Sequence, residues 1–233
     1  MSMDKITDNI YDRTISLIGQ EAQSKLLSKK VVVIGLGGVG SYVVEALARV
    51  GIGTLILIDP ERIESSNINR QLFALHSTIG LYKTDVAYER VKDINPDIKV
   101  ICHNVFVSAE NIFNLVDDDV DYIIDAIDSV QSKIDIIKFA KNNGFNIISC
   151  MGTGNKLDNT SFKISSISKT DTCPLAKKVR KILNSEGIKD VDVLYSSCKN
   201  IKVCKESIAS ISYVPSTAGL LLAGFVIQKM IKQ

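Results

Sequence analysis

The sequence predicts a doubly wound α/β fold, a mostly parallel sheet with helices on both faces and a C-terminal β/α extension. Short apolar runs alternate with amphipathic helical stretches through the first 150 residues. A glycine-rich turn joins the first run directly to the helix that follows it, and an acidic residue closes the second run. Alternation of this kind gives parallel strands joined by crossover helices, and the turn is the punctuation such a unit carries.

Thr14 to Leu27 places Ile15, Ile18, Ala22 and Leu26 at helical spacing and predicts one helix. Ser28-Lys29-Lys30 breaks it, and Val31-Val32-Val33-Ile34 reads as a buried strand. After the turn Gly35-Leu36-Gly37-Gly38-Val39-Gly40, the helix from Ser41 to Arg49 sets Val43, Val44, Leu47 and the adjoining Val50 on one face. Thr54 to Ile58 is the second strand, and Asn67 to Ser77 an ordered loop or short helix. Lys83 to Ile94 is helical until Asn95-Pro96 ends it. Strands at Lys99 to Val105, Tyr122 to Ala126 and Asn146 to Cys150 are separated by a short acidic helix near Asn111 to Leu115 and a helix from Val130 to Lys141. The pattern up to this point is Rossmann-like.

Beyond Gly152-Thr153-Gly154 the pieces shorten. Phe162-Lys163-Ile164 alternates, and Pro174 to Ser185 reads as a helix with proline in its first turn and Gly187 past its end. Val214 to Ile227 is mostly apolar but holds Pro215, Ser216, Thr217 and two glycines, and its length suits a buried helix better than a membrane span. One adenylating unit spanning 1–233 is expected, with a nucleotide-binding core over 1–150 and a substrate-facing extension over 151–233.

Composition excludes several classes. With 45% hydrophobic and 23% charged residues the chain is neither disordered nor disulfide-rich. A net charge of +2 is too small to mark a general nucleic-acid binder, so DNA is not expected and any basic site must be local. The five cysteines (Cys102, Cys150, Cys173, Cys198, Cys204) form no C-x-x-C pair, so no zinc site or disulfide framework is indicated, and a cytoplasmic location fits. The start MSMDKITDNIYDR lacks the basic-then-apolar order of a signal peptide. His76 and His103 read as structural.

In the turn, Gly35, Gly37, Gly38 and Gly40 let backbone approach a phosphate, and the helix N-terminus behind them offers unpaired N–H groups. Asp59, closing the second strand, is placed to accept hydrogen bonds from ribose hydroxyls. These features indicate an adenosine nucleotide without separating ATP from NAD; a plain tight turn with a surface aspartate is the bland alternative. Asn67-Ile68-Asn69-Arg70-Gln71 and the lysine of Gly80-Leu81-Tyr82-Lys83 favour ATP, because a triphosphate carries about four negative charges that fixed cations offset. Asp125 and Asp128 end the fourth strand, where carboxylates face the ligand crevice, and one carboxylate plus phosphate oxygens is a common way to hold Mg2+. The alternative is that both aspartates cap the next helix.

These motifs resemble the ubiquitin-activating-enzyme-like adenylyltransferases, which include the bacterial molybdopterin and thiamine sulfur-carrier activators. The resemblance runs from Arg13 to Pro96 and resumes at Asp125-Ala126-Ile127-Asp128-Ser129. It implies that Asp59 binds ribose, that Asn67 and Asn69 orient loop and phosphates, and that Gln71 belongs to the same nucleotide site. Arg70 and Lys83 would hold phosphates and Asp128 magnesium, while Arg13 would reach into a neighbouring subunit's site, so a homodimer is implied. Within the family the chain most resembles the tRNA threonylcarbamoyladenosine dehydratases, through Arg13 to Glu21, Ala46 to Gly53, Ile124 to Ser129, Met151 to Gly154, Pro174 to Arg180 and Val214 to Gly219. That branch implies ATP-dependent adenylation of a carboxylate on a tRNA adenosine, followed by internal ring closure. Activation of a Gly-Gly-tailed sulfur carrier is the second reading and a non-catalytic scaffold the third, with a sulfur-transfer protein as a further candidate partner.

Other branches pass the acyl group to a cysteine. Cys173, before Pro174 at a helix N-terminus, is the candidate nucleophile here; the alternative is a small residue beginning a helix, since no histidine stands beside it. Cys198 and Cys204 could pair reversibly. Lys169 to Lys205 holds nine basic and four acidic residues, a local +5 that leaves −3 for the remainder. This stretch is the expected place for tRNA phosphate contacts, the alternative being a solvated helix face.

Overall fold

The computed structural model describes residues 10–203 and 208–232. The apolar runs form parallel strands β1 (Lys30–Ile34), β2 (Thr54–Ile58), β3 (Lys99–His103), β4 (Tyr122–Asp125) and β5 (Ile147–Cys150). With β6 (Phe162–Ser166) and β7 (Asp192–Ser196) they make one seven-stranded sheet in the order β3-β2-β1-β4-β5-β7-β6. β7 lies parallel to β5, and β6 closes the edge antiparallel to β7. The expected extension therefore continues the same sheet.

β1 and β2 read as unbroken apolar runs because both their faces are buried. Val31, Val33, Leu55 and Leu57 enter the layer formed with α3 (Gly40–Val50), α4 (Lys83–Ile94) and α7 (Tyr213–Lys232). Val32, Ile34, Ile56 and Ile58 enter the opposite layer with α5 (Val130–Asn142) and α6 (Pro174–Ser185). Each such fully buried side chain contributes about 1.5–3 kcal/mol of transfer free energy.

Two departures from the sequence expectation stand out. The single N-terminal helix is two, α1 (Asp12–Ile18) and α2 (Gln20–Ser28), divided at Gly19, whose φ of 85° and ψ of 159° are not helical. α2 buries Gln23 and Leu26, whereas α1 buries nothing and is tethered through Tyr11, whose hydroxyl accepts from the Asn95 amide. β7 was not anticipated, because its five residues sit between charged Lys189-Asp190 and a polar loop and give no periodic signal of their own. Elsewhere the differences are of length: the acidic helix is one 3-10 turn, Ile112–Asn114, and the Asn67 to Ser77 region contains 3-10 turns at Ser65–Asn67 and His76–Thr78.

α7 is long and apolar enough by composition to cross a membrane, with a mean hydropathy of 1.4. Val214, Pro215, Ala218, Gly219, Leu222, Ala223, Val226 and Met230 are buried on the body of the protein, as expected of a core helix.

Candidate active site

Strand order reverses between β1 and β4, and a crevice of about 1170 Å³ opens outside their C-terminal ends. Gly35, Gly37, Gly38, Asp59, Asn67, Arg70, Gln71, Lys83 and Asp128 all line it, so residues spread over ninety positions converge as the motifs predict. Gly40 lies just beneath. A Cβ there would stand 1.7 Å from the Gly35 carbonyl oxygen, so the doubled-back turn excludes every side chain at this position.

Asp59 is 4% exposed and accepts the Leu36 N–H at 2.6 Å and the Glu61 N–H at 2.8 Å. Burial raises its pKa, and the Lys83 charge and these two N–H bonds oppose the rise. Lys83, opening α4, is itself buried and pairs with Glu61, whose side chain is 68% exposed. A well-solvated carboxylate is a weak competitor for that ammonium, so an incoming phosphate could displace it.

Arg70 donates to the Ser66 carbonyl at 2.9 Å and to Asn69 Oδ1 at 2.8 Å, and its stem crosses Gly38, Cγ lying 3.2 Å from where a Cβ would be. Asn67 Oδ1 accepts the Glu64 N–H at 3.1 Å and shapes the 3-10 turn. Asn69 stands off the crevice: its amide donates to the Ser210 carbonyl at 3.2 Å and its oxygen holds Arg70. Arg13 is exposed on α1 and does not line this chain's crevice.

The two β4 aspartates part company. Asp128 is exposed in the crevice beside the α5 N-terminus. Asp125, expected there too, is instead fully buried: Oδ2 meets Lys133 Nζ at 2.7 Å and the Ser149 hydroxyl at 2.5 Å, and Oδ1 accepts the Ile127 N–H at 3.2 Å. Lys133 also donates to Ser149 Oγ at 3.1 Å and the Cys150 carbonyl at 2.9 Å. Asp125 thus shapes the turn that presents Asp128. No three or more His, Cys, Asp or Glu cluster as a metal site among the described residues, so a cation at Asp128 would need phosphate oxygens as further ligands.

The second half of the crevice was less legible. Cys173 caps α6 and lines the wall at 2% exposure, and buried Cys150 has its thiol pushed up to about 12 by desolvation. Cys204 and Lys205 lie outside the described residues. Asn155, in left-handed backbone at φ 57°, staples both ends of the 201–209 connection: its N–H meets the Ala209 carbonyl, its carbonyl the Ile201 N–H and its Oδ1 the Ala209 N–H, each at 2.8 Å. Next to it, buried Lys156 donates to the Cys198 carbonyl at 2.7 Å and Asn200 Oδ1 at 2.9 Å. Sequence reasoning passed over Asn155, Lys156, Glu61 and Lys133. Only Lys133 left a trace, as a lysine on the face of α5 that also carries Ile136, Ile137 and Ala140.

Fold and crevice together define a nucleotide-binding α/β protein with the cationic side chains Arg70 and Lys83 and the carboxylates Asp59 and Asp128 gathered at a glycine turn. Residues 11–233 match the ThiF family, and the chain belongs to it. It is 39% identical over 240 residues to the tRNA threonylcarbamoyladenosine dehydratase of Bacillus subtilis, covering 95% of this chain and 94% of that one. It superposes on the Escherichia coli tRNA N6-threonylcarbamoyladenosine dehydratase solved with AMP at a TM-score of 0.90, with 33% identity and coverage of 94% and 93%. Against the same enzyme solved with ATP the TM-score is 0.87, with 32% identity and coverage of 95% and 93%.

Proposed function

We propose that this protein is an ATP-dependent tRNA threonylcarbamoyladenosine dehydratase that closes the threonylcarbamoyl side chain into a ring. The observation that carries it is the crevice uniting the glycine turn, Asp59, Arg70, Lys83 and Asp128 with a separate wall drawn from Met151–Asn155, α6, Asn200, Ile208 and Ser210. Homologues of near-full coverage bear that dehydratase name, and the E. coli enzyme has been solved with ATP and AMP.

A carboxylate is a poor acyl donor, because its charge repels nucleophiles and its oxygen is a bad leaving group. One carboxylate oxygen of the substrate attacks the α-phosphorus of ATP and pyrophosphate leaves, giving an acyl-adenylate. A nucleophile within the same side chain then attacks the acyl carbon and gives up its proton, AMP departs with the bonding pair and the former carboxylate oxygen, and the substrate has lost the elements of water. The protein supplies position and charge. Asp59 accepts the ribose hydroxyls, Arg70 and Lys83 hold phosphates, Asn67 and Gln71 shape the loop beneath them, and Asp128 would hold Mg2+ together with phosphate oxygens. Bound there, magnesium would offset charge on the departing pyrophosphate.

Ring closure within the substrate requires no enzyme thiol, which suits Cys173 as part of the wall. Cys173→Ser is accordingly expected to keep turnover within about threefold; a loss of the hundredfold order expected for a missing covalent nucleophile would make it an acyl acceptor. The reading further includes a cytoplasmic homodimer in which Arg13 completes the partner's crevice. α1 buries no residue of its own, and Leu17 on it and Ile10 just before it are exposed, as on a docking element.

The test is ATP–pyrophosphate exchange by wild type and Asp128→Ala, offered either tRNA carrying threonylcarbamoyladenosine or a Gly-Gly-tailed carrier protein. Exchange stimulated by tRNA and lost in Asp128→Ala is expected. Exchange with the carrier alone would transfer the assignment to sulfur-carrier activation, and with neither to a scaffold.

A further inference from the structure

Of the described basic residues between Lys169 and Lys202, three line the crevice: Lys177, Lys178 and Lys181. All three are exposed on α6, and Lys177 and Lys181 are one turn apart. Among the described residues none of the three meets a carboxylate within 4 Å, whereas Lys25, Lys29, Lys30, Lys83, Lys133 and Lys138 each do. Arg180, between them in sequence, turns away to the Thr170 carbonyl and hydroxyl, and Lys169 and Lys189 lie off the crevice. The local excess of positive charge is therefore sorted by the fold, with one α6 face aimed at the cavity and left without counter-charge.

The cavity also exceeds what one nucleotide needs. Pockets for single small ligands run to ~300–1,000 Å³, against about 1170 Å³ here. Asp59 and Lys83, on the nucleotide side, are nearly sealed from water, while the α6 lysines are open to it. Open, unpaired ammonium groups suit a ligand bound through many exchangeable phosphate contacts rather than one enclosed anion.

Resting on the dehydratase reading, we infer that Lys177, Lys178 and Lys181 form the subsite for RNA phosphodiesters flanking the target adenosine, holding the backbone so that its carboxylate enters the crevice above the glycine turn. The site recognises backbone charge and leaves the choice of adenosine to the wall at Met151–Asn155.

The test compares tRNA binding across a salt series for wild type, Lys177→Glu/Lys181→Glu and the off-crevice control Lys169→Glu/Lys189→Glu, with ATP affinity measured in parallel. All four positions are solvent-exposed, so the variants should fold, and matching melting temperatures check it. The crevice pair is expected to weaken tRNA binding at least about tenfold and to lower the slope of log K against log salt by about 2, with ATP affinity unchanged and the control near wild type. Equal losses in both pairs would reduce the effect to overall charge and overturn the subsite. A weakened ATP affinity with tRNA binding intact would reassign the lysines to the nucleotide. If wild type adenylates nothing in the presence of tRNA, the dehydratase reading itself fails, which the pyrophosphate-exchange assay registers separately from any binding result.

Discussion

Lys133 and Asp125, both wholly inside the protein, decide where Asp128 points. Lys133→Met strands a buried carboxylate and is expected to cost about 3–5 kcal/mol in urea melts, while Lys133→Met/Asp125→Leu recovers most of it. No recovery in the double variant would mean that the pair acts through something other than mutual charge. Asp59 gives a pH signature. Its carboxyl sits above the ordinary value of 3.8, so the folded chain binds this proton more readily than the unfolded one. The Asp59 contribution to stability without nucleotide should therefore be fully present below the ordinary value and be lost as pH rises through the raised one. ATP affinity should climb over the same window, since only the ionised group can accept from both ribose hydroxyls. Calorimetric titration of wild type and Asp59→Asn from acid to neutral pH checks this: the dependence should vanish in the variant, and its survival there would put the titrating group elsewhere. Asp59, Lys83 and Asp128 were readable because each adjoins a glycine turn or a strand end, and Arg70 because it stands in the polar cluster Asn67 to Gln71. Lys133 and Asn155 were not, since their roles depend on partners from other strands and loops.

At the scale of elements, the helices with a strong apolar face and a proper stop were recovered to the residue, as in α4 and α6. What failed was an element with a local interrupter, divided at Gly19, and an element without local pattern, β7, which exists because β5 and β6 offer it hydrogen bonds on both sides. The bonding of Ile201 and Ala209 is the third case, and it rests on one asparagine. Asn155→Ala loses the Oδ1 bond and must hold φ 57° without a side chain suited to it, a strain of about 1–2 kcal/mol. Hydrogen exchange should quicken at Ala209 and Ser210, and KM for tRNA should rise while KM for ATP holds. Asn155→Gly, which adopts that backbone freely, should show a smaller effect. Equal rises in both KM values would mark the staple as supporting the whole crevice rather than its RNA side.

For the whole molecule, the chain as described leaves α1 uncovered, with Leu17 84% exposed beside Arg13. In the proposed dimer, Leu17→Glu is expected to shift sedimentation toward monomer, and activity should then fall steeply with dilution. An unchanged dimer would move the interface to another face.

The bond from Asn69 to Ser210 spans 141 positions, and Pro215 and Gly219 press on Gly38 and the Val39 carbonyl from the far end of the sequence. The glycine turn is thus braced by segments synthesised long after it. A nascent chain can lay down β1 through β5 early, yet its nucleotide site is finished only when α7 docks. A chain halted before α7 is therefore expected to bind ATP poorly, which ties nucleotide use to the completion of this helix.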